Sequence, residues 1–187
     1  MTELSFKRFR LIANSKCPSR DWKKQNRNKA FKIYNHNNIN LGIPTGKINN
    51  ITVIDLDTNK WNENHIFYKY FTIDEIIESS YSVKSPNGYH IYYEYDEDIY
   101  QTQCEEHQID IRGDGGYIVS AGSKVDGKYY KVINRKTIIP MPEKMKQFLI
   151  KYITPPIKIN RKKNNNNICN DIYRNMININ IYDGTPM

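Results

Sequence analysis

The side chains best suited to chemistry lie in three short segments. Asp55 and Asp57 end a predicted strand, His90 follows a turn that contains glycine, and Asp110 lies on a later predicted strand. Alternate residues of a strand share a face, so Asp55 and Asp57 should point the same way. Carboxylate oxygens are ligands that Mg²⁺ and Mn²⁺ favour. We therefore predict that Asp55, Asp57 and Asp110 hold two divalent ions, which would align a hydroxyl with a phosphate and stabilise a leaving pyrophosphate.

Other residues near these segments are suited to binding phosphate. His90 could donate a hydrogen bond to a triphosphate oxygen, Ser85 could add a hydroxyl, and Ser123 is a further candidate. The glycines that end at Gly116 would let the backbone approach a ligand closely. Each feature also fits a structural role. The carboxylates could be solvated, His90 could be a satisfied structural histidine, and the glycines could form an ordinary hairpin.

Two other motifs are rejected. Residues 42–47 resemble a P-loop, but the spacing between the glycines is one residue short, and Ile48 stands where the motif has Ser or Thr. Cys104 and His107 have the spacing of half a zinc site, but the chain offers no second half.

Composition limits the class of protein. The 187 residues carry a net charge of +8, and 39% of them are hydrophobic. This length suits one domain with a real core, and the positive charge favours polyanionic partners. We find neither an apolar run long enough to span a membrane nor a signal-peptide pattern. The three cysteines are far apart and indicate a reducing compartment. We expect a soluble intracellular protein with no membrane partner.

Basic side chains are concentrated near the N-terminus. Residues 7–32 contain ten lysines and arginines, with Phe6, Phe9, Trp22 and Phe31 among or beside them. This pattern suits single-stranded nucleic acid, whose phosphates meet cations and whose bases stack on aromatic rings. It equally fits a solvated face whose aromatic residues pack into the core. We predict that single-stranded nucleic acid is bound by Lys16, Arg20, Lys23 and Arg27.

Hydrophobic periodicity and turn signals predict the elements that position these residues. Strands are predicted at 51–57, 89–95, 108–112, 117–125 and 128–133, the last two joined by the turn Asp126-Gly127. Thr72 and Glu75 form a capping box, which predicts a helix that ends near Ser79. Pro142 opens a second helix that ends near Tyr152.

The C-terminal part has a different composition. Two prolines at 155–156 are followed by a basic triplet and by four asparagines at 164–167, a pattern that favours a linker. We predict a catalytic domain at residues 1–154 and a linker-like or accessory segment at 155–187. This segment could lead to a replicative helicase in a longer polypeptide.

Taken together, the motifs resemble the primase–polymerase domain of the archaeo-eukaryotic primase superfamily. The resemblance is to the bifunctional type found in plasmids, phages and large DNA viruses, and it covers roughly residues 10–150 in the family's order. The matching stretches are Lys16-Cys-Pro18 with Trp22-Lys23, Leu-Gly-Ile-Pro-Thr-Gly at 41–46, Val-Ile-Asp-Leu-Asp at 53–57, Ser-Pro-Asn-Gly-Tyr-His at 85–90, and Asp-Ile-Arg-Gly-Asp-Gly-Gly-Tyr-Ile-Val at 110–119 followed by Gly122-Ser123.

The resemblance implies an α+β fold. An antiparallel or mixed sheet like that of an RNA-recognition motif would carry the carboxylates, beside a smaller N-terminal α/β unit. The implied roles are metal binding by Asp55, Asp57 and Asp110, triphosphate binding by His90, and secondary nucleotide contacts by Arg112 and Ser123. The chain departs from the family's frequent Ser-x-His motif, since Gly88 stands two residues before His90. It also has Asp57 where the family often has Glu.

The implied activity is template-directed nucleotidyl transfer by a DNA primase/polymerase. Its partners would be a single-stranded DNA template, a primer and a (d)NTP, and its cofactors two Mg²⁺ or Mn²⁺ ions. Two alternatives stay open. A replication-initiation endonuclease would want a second histidine two residues from His90, where the chain has Gly88 and Tyr92. A non-catalytic single-strand-binding module could have lost its carboxylates, but all three are present.

Overall fold

The computed structural model describes residues 5–23 and 39–154. The strands are β1 (Phe9–Arg10), β2 (Leu41–Pro44), β3 (Ile51–Leu56), β4 (Ser82–Lys84), β5 (Tyr89–Glu94), β6 (Thr102–Cys104), β7 (Ile109–Arg112), β8 (Tyr117–Val119), β9 (Lys124–Val125), β10 (Lys128–Tyr129) and β11 (Lys131–Asn134). The helices are α1 (Ile73–Ser79) and α2 (Glu143–Tyr152), and 3₁₀ helices span Thr58–Lys60 and Ile66–Lys69. The predicted α+β class is confirmed. Arg27 and the predicted segment 155–187 lie outside the described residues.

A six-stranded antiparallel sheet positions the residues that the sequence singles out. Its strand order is β11-β4-β5-β3-β7-β6, so β3 lies inside the sheet with β5 on one side and β7 on the other. The sequence of β3 explains this place, because nearly all of its side chains are buried. A strand that is buried on both faces reads as an almost continuous apolar run.

The two faces of the large sheet support separate cores. Ile54 and Leu56 of β3 pack with Met145, Phe148 and Leu149 of α2 on one face. On the other face, Ile51 and Val53 of β3 pack with residues of a second, three-stranded sheet in the order β1-β2-β8. Asp55 shares the face of Ile51 and Val53, because side chains alternate along a strand. The predicted ligand Asp55 therefore lies on the face opposite the helices.

The smaller sheet is not built from N-terminal residues alone. Its third strand, β8, comes from residues that follow the carboxylates in sequence.

The predicted continuous strand at 117–125 is wrong, because the structure has two separate strands there. The chain breaks at 120–123, where Gly122 has a φ of +88°, and β9 then forms a separate hairpin with β10. The predicted Asp126-Gly127 turn closes that hairpin, with both residues at positive φ.

The structure confirms the two predicted helices and the rejection of the P-loop. Thr72 is the N-cap of α1, where its hydroxyl accepts from the Glu75 amide at 3.2 Å. A P-loop leads from a strand into a helix, whereas residues 45–50 lead from β2 into another strand. Within the described ranges, no helix is long and apolar enough to cross a membrane.

Candidate active site

The register of three neighbouring strands brings three predicted site residues together. Asp55 of β3 is paired with His90 of β5 on one side and with Asp110 of β7 on the other. Side chains of directly paired residues lie on the same face with their β-carbons about 5 Å apart. The three residues therefore form one row across the sheet, although they are distant in sequence.

Asp57 and Arg112 extend this row. Asp57 follows the end of β3, and its amide donates to the Gln108 carbonyl oxygen at 3.0 Å, which fixes the strand end beside the β6–β7 loop. Arg112 lies two residues after Asp110, so both side chains share a face. Its guanidinium donates to Asp110 at 2.6 Å and lies 3.6 Å from Asp55. The structure thus brings the predicted carboxylates together with a balancing cation.

The electrostatic environment differs between the two carboxylates of the row. Burial alone would raise the pKa of Asp55, but His90, through charge and a hydrogen bond, then Arg112 and Lys16, lower it overall. Burial raises the pKa of Asp110, and repulsion from Asp55 and Asp57 adds to that rise, against the opposing effect of Arg112. The neighbours of Asp55 therefore outweigh its burial and favour its ionised form, whereas at Asp110 burial outweighs the stabilising effect of Arg112.

A pocket of about 290 Å³ opens beside the carboxylates. Its lining is mostly polar and acidic and consists of Asp55, Asp57, Lys60, Gln103, Cys104, Glu105, Gln108 and Asp110. Lys60 donates to Asp57 at 3.0 Å and to the Gln108 side chain at 2.6 Å. No sequence pattern selects Lys60, which reaches the pocket because of the turn that follows β3.

The donor set suits hard divalent cations. The carboxylates of Asp55, Asp57, Asp110 and Glu105 supply only oxygen ligands to the pocket, and oxygen is what Mg²⁺ and Mn²⁺ favour. Among the described residues, no group of three or more His, Cys, Asp or Glu side chains is arranged to hold a metal ion as it stands. Arg112 and Lys60 instead bind the carboxylates. Ion binding would require these two cations to move away.

His90 is buried beside Asp55. Its Nε2 lies 3.3 Å from a carboxylate oxygen of Asp55, so this nitrogen must carry the hydrogen, because a carboxylate only accepts. Its Nδ1 is buried without a hydrogen-bond partner. The imidazole therefore contacts a predicted metal ligand directly, and a triphosphate contact would use a changed ring position or protonation state.

Tyr130 packs against His90. This residue was not selected from the sequence. The two ring centroids are 5.4 Å apart, and Tyr130 is buried. Burial raises the pKa of Tyr130 strongly, and the charges of Asp55 and Asp57 raise it further. No spacing rule distinguishes Tyr130 among the 15 tyrosines of the chain, so only the tertiary structure identifies it.

Ser123 and Gly116 are not among the residues that line the carboxylate pocket. The Ser123 hydroxyl is fully buried and accepts from the Leu41 amide at 3.0 Å, while its carbonyl accepts from the Tyr130 amide. Gly116 packs so closely on Gln101 that a β-carbon would overlap that side chain. Both residues hold loops in place, and their nucleotide contacts stay predictions.

Ser85 and Gly88 shape the turn before β5. The Ser85 hydroxyl accepts from the Gly88 amide at 3.0 Å, and the Gly88 carbonyl accepts from the Ser85 amide. A β-carbon at Gly88 would overlap the Leu56 carbonyl oxygen and lie 2.7 Å from the Thr58 amide nitrogen. The departure from Ser-x-His thus has a steric cause, because this turn is pressed against the end of β3.

We predict that Gly88→Ala destabilises the protein and lowers its activity. The clash is with backbone atoms on both sides of Asp57, so the strand end must shift, and overpacking of this kind costs about 1–3 kcal/mol. The free energy of unfolding, measured with urea, should fall accordingly. Asn87→Ala in the same turn is the control and should behave like the parent. A Gly88→Ala protein with unchanged stability would contradict the close packing.

The N-terminal segment is divided between core and surface. Phe6, Phe9 and Trp22 are buried, so the interpretation that they stack on bases is wrong, and core packing is correct. Phe31 lies outside the described residues. Among the described basic residues of the segment, Arg8 is buried, and the exposed ones are Lys7, Arg10, Lys16, Arg20 and Lys23.

Lys16 is the predicted template residue whose position relates it to the carboxylates. Its carbonyl accepts from the Tyr117 hydroxyl at 3.1 Å, and its charge contributes to the lowered pKa of Asp55. Lys16 therefore lies on the side of the pocket that faces the smaller sheet.

Comparison with known proteins supplies the family. No curated protein matches the chain. The family profile described as bifunctional DNA primase/polymerase, N-terminal, matches residues 3–144, which include every described residue of the carboxylate row. Because this match covers well over half of the 187 residues, the chain belongs to the Prim-Pol family of bifunctional DNA primase/polymerase N-terminal domains.

Proposed function

We propose that this protein is a template-directed nucleotidyltransferase that makes or extends primers on single-stranded DNA. The observation that carries the proposal is the row of Asp55, His90 and Asp110 across β5, β3 and β7, with Asp57 and Arg112 beside it. Membership of the Prim-Pol family supports the general activity. The acidic pocket and the charge of +8 support divalent cations and a polyanion as its ligands.

Asp55, Asp57 and Asp110 would hold the divalent ions. When bound, two such ions would supply alignment of the attacking 3′-hydroxyl and stabilisation of charge on the leaving pyrophosphate. The side chains of the protein do the rest. Arg112 lies within reach of both Asp55 and Asp110 and can turn toward a triphosphate once a cation replaces it. Lys60 can do the same from Asp57.

His90 has two compatible tasks in this scheme. Its Nε2 holds the Asp55 carboxylate in position, and a positioned ligand favours ion binding. Once the His90 ring has moved away from Asp55, the imidazole can also donate to the triphosphate of the incoming nucleotide. Tyr130 packs against the ring and limits the orientations that His90 can adopt. Ser85, Gly116 and Ser123 support the loops around the site, and their contacts with the nucleotide stay part of this proposal.

Template binding is assigned to the exposed basic residues Lys16, Arg20 and Lys23, with Arg27 as a further candidate. The segment 155–187 is proposed as a linker or accessory region.

A primer-extension assay tests the proposed function. The purified chain, a single-stranded template with an annealed primer, and either dNTPs or NTPs are combined with Mg²⁺, with Mn²⁺, or with a chelator. We expect extension with at least one metal and none with the chelator. An unprimed template tests synthesis from the start. Extension that persists with the chelator, or no extension with any metal and nucleotide, would overturn the proposal.

A further inference from the structure

A second depression in the protein has the opposite charge to the carboxylate pocket. It measures about 560 Å³ and lies between the N-terminal turn and the β9–β10 hairpin. Its lining residues are Ala13, Asn14, Ile39, Asn40, Gly122, Lys124, Gly127 and Tyr129. This lining contains a lysine and an exposed aromatic ring but no carboxylate, whereas the carboxylate pocket contains four acidic side chains. We call this depression the hairpin groove.

One buried side chain ties the two walls of the hairpin groove together. The Asn40 amide donates to the Ser15 carbonyl at 3.1 Å and to the Lys124 carbonyl at 2.7 Å, and its oxygen accepts from the Lys124 amide at 2.8 Å. The Gly122 amide donates to the Tyr130 carbonyl at 2.8 Å at the base of the hairpin. The groove is therefore held open by hydrogen bonds between its walls, and a ligand would meet a preorganised surface.

The exposed groups of the groove suit one strand of nucleic acid. Tyr129 is 52% exposed, and its ring lies 5.3 Å from the Lys124 ammonium, which is its cross-strand partner. An exposed ring beside a cation can stack on a base while the cation meets the adjacent phosphate. Lys128 on the same hairpin is exposed as well. A duplex hides its base faces, so a stacking platform of this kind selects a single strand.

The β9–β10 hairpin links the hairpin groove to the carboxylate row. Tyr129 and Tyr130 are consecutive residues, so their Cα atoms are about 3.8 Å apart. Tyr129 lines the groove, and Tyr130 packs against His90 in the carboxylate row. Tyr129 is exposed and Tyr130 is buried, so the two rings take opposite sides of the hairpin, and the groove is joined to the carboxylate row through the backbone of these two residues.

We propose that the hairpin groove binds the single-stranded DNA template, with Tyr129 stacking on a base and Lys124 contacting a phosphate. The inference rests on the proposed function for its biological meaning. It extends that function because it adds this hairpin to the template contacts assigned to Lys16, Arg20, Lys23 and Arg27.

The test measures binding of a fluorescent oligothymidylate by anisotropy, in chelator and without nucleotide, over a series of salt concentrations. We expect Tyr129→Ala to weaken binding about tenfold, because one base loses its stacking partner, with little change in salt dependence. Tyr129→Phe keeps the ring and should bind like the parent. Lys124→Gln should reduce the slope of log affinity against log salt by about 0.7, the value for one phosphate contact on a single strand.

Two matched controls and a stability measurement complete the experiment. Tyr100→Ala removes a ring that is 56% exposed elsewhere, and Lys69→Gln removes an exposed lysine outside the groove. Both should bind like the parent, and thermal melting should show all variants folded. Parent-like binding by both Tyr129→Ala and Lys124→Gln, or equal losses in the controls, would overturn the groove as the template site.

The experiments distinguish an error in the groove proposal from an error in the proposed function. Asp55→Asn should lose primer extension yet bind the oligonucleotide normally, because the groove does not involve the carboxylates. If the groove variants bind normally while the parent extends primers, only the groove is wrong. If the parent binds through the groove but never extends a primer, the proposed function is wrong and the groove stands.

Discussion

Replacing any one of Asp55, Asp57 or Asp110 by Asn is expected to reduce primer extension on the order of 10³-fold or more. Asn is close to Asp in shape but lacks the charge that holds a divalent ion. Glu106→Gln is the matched control, because Glu106 is close to the pocket in sequence but is 84% exposed and does not line the pocket. It should keep most of the activity. A row variant with near-normal extension would move catalysis elsewhere.

The Asn variants of Asp55 and Asp110 should differ in thermal stability, because the pKa shifts of the two carboxylates in the parent have opposite directions. The pKa of Asp55 is lowered in the folded protein, so its ionised form contributes stability above the unfolded pKa, and that stability is lost as pH falls. The pKa of Asp110 is raised, so its ionised form costs stability at neutral pH. Without metal at pH 7, Asp55→Asn should melt below the parent and Asp110→Asn at the same or a higher temperature.

Metal titration separates catalytic loss from unfolding. Mn²⁺ should raise the melting temperature of the parent more than that of each Asn variant, because only the folded parent binds the ions fully. A different result would make these carboxylates structural. In that case a variant would lose activity only because it unfolds, and Mn²⁺ would raise the melting temperature of its folded fraction as much as that of the parent.

His90→Ala should affect both the nucleotide and the pH dependence of the reaction. Loss of a hydrogen bond to a charged group is worth about 1.5–3 kcal/mol, so the KM for the nucleotide should rise about tenfold or more. His90 also lowers the pKa of Asp55, so its removal should raise that pKa. Since a carboxylate must be deprotonated to bind metal, the acid limb of the activity profile should move to higher pH.

The two readouts distinguish the two tasks of His90. A raised KM with an unmoved acid limb would indicate nucleotide contact alone. A moved limb with weaker Mn²⁺ binding and an unchanged KM would indicate that His90 only positions Asp55. If neither quantity changes, His90 is a structural residue, and its place beside Asp55 has no catalytic meaning. Oligonucleotide binding should stay at the parent level in every case.

Much of the fold was predictable because its signals are local. The apolar run at 51–56, the Thr72 cap, the Asp126-Gly127 turn and the helix after Pro142 each depend on neighbouring residues. The alternation of side chains along a strand placed Asp55 on the face of Ile51 and Val53 before any pairing was known. The break between β8 and β9 was missed, because strand propensity continues through 117–125 while the sheet that each half joins is set by distant partners.

The sequence by itself determined which side chains form the candidate site: the carboxylates, His90 and Arg112 lie on predicted strands, with residue types that suit ions and phosphates. Only the tertiary structure decided how they meet, because the register of β5, β3 and β7 is a non-local property. Burial was equally non-local. It placed Phe9 and Trp22 in the core, turned the Ser85 and Ser123 hydroxyls toward backbone amides, and brought Tyr130 to His90. Short-range patterns fix which face a residue takes, but long-range packing fixes which residues share that face.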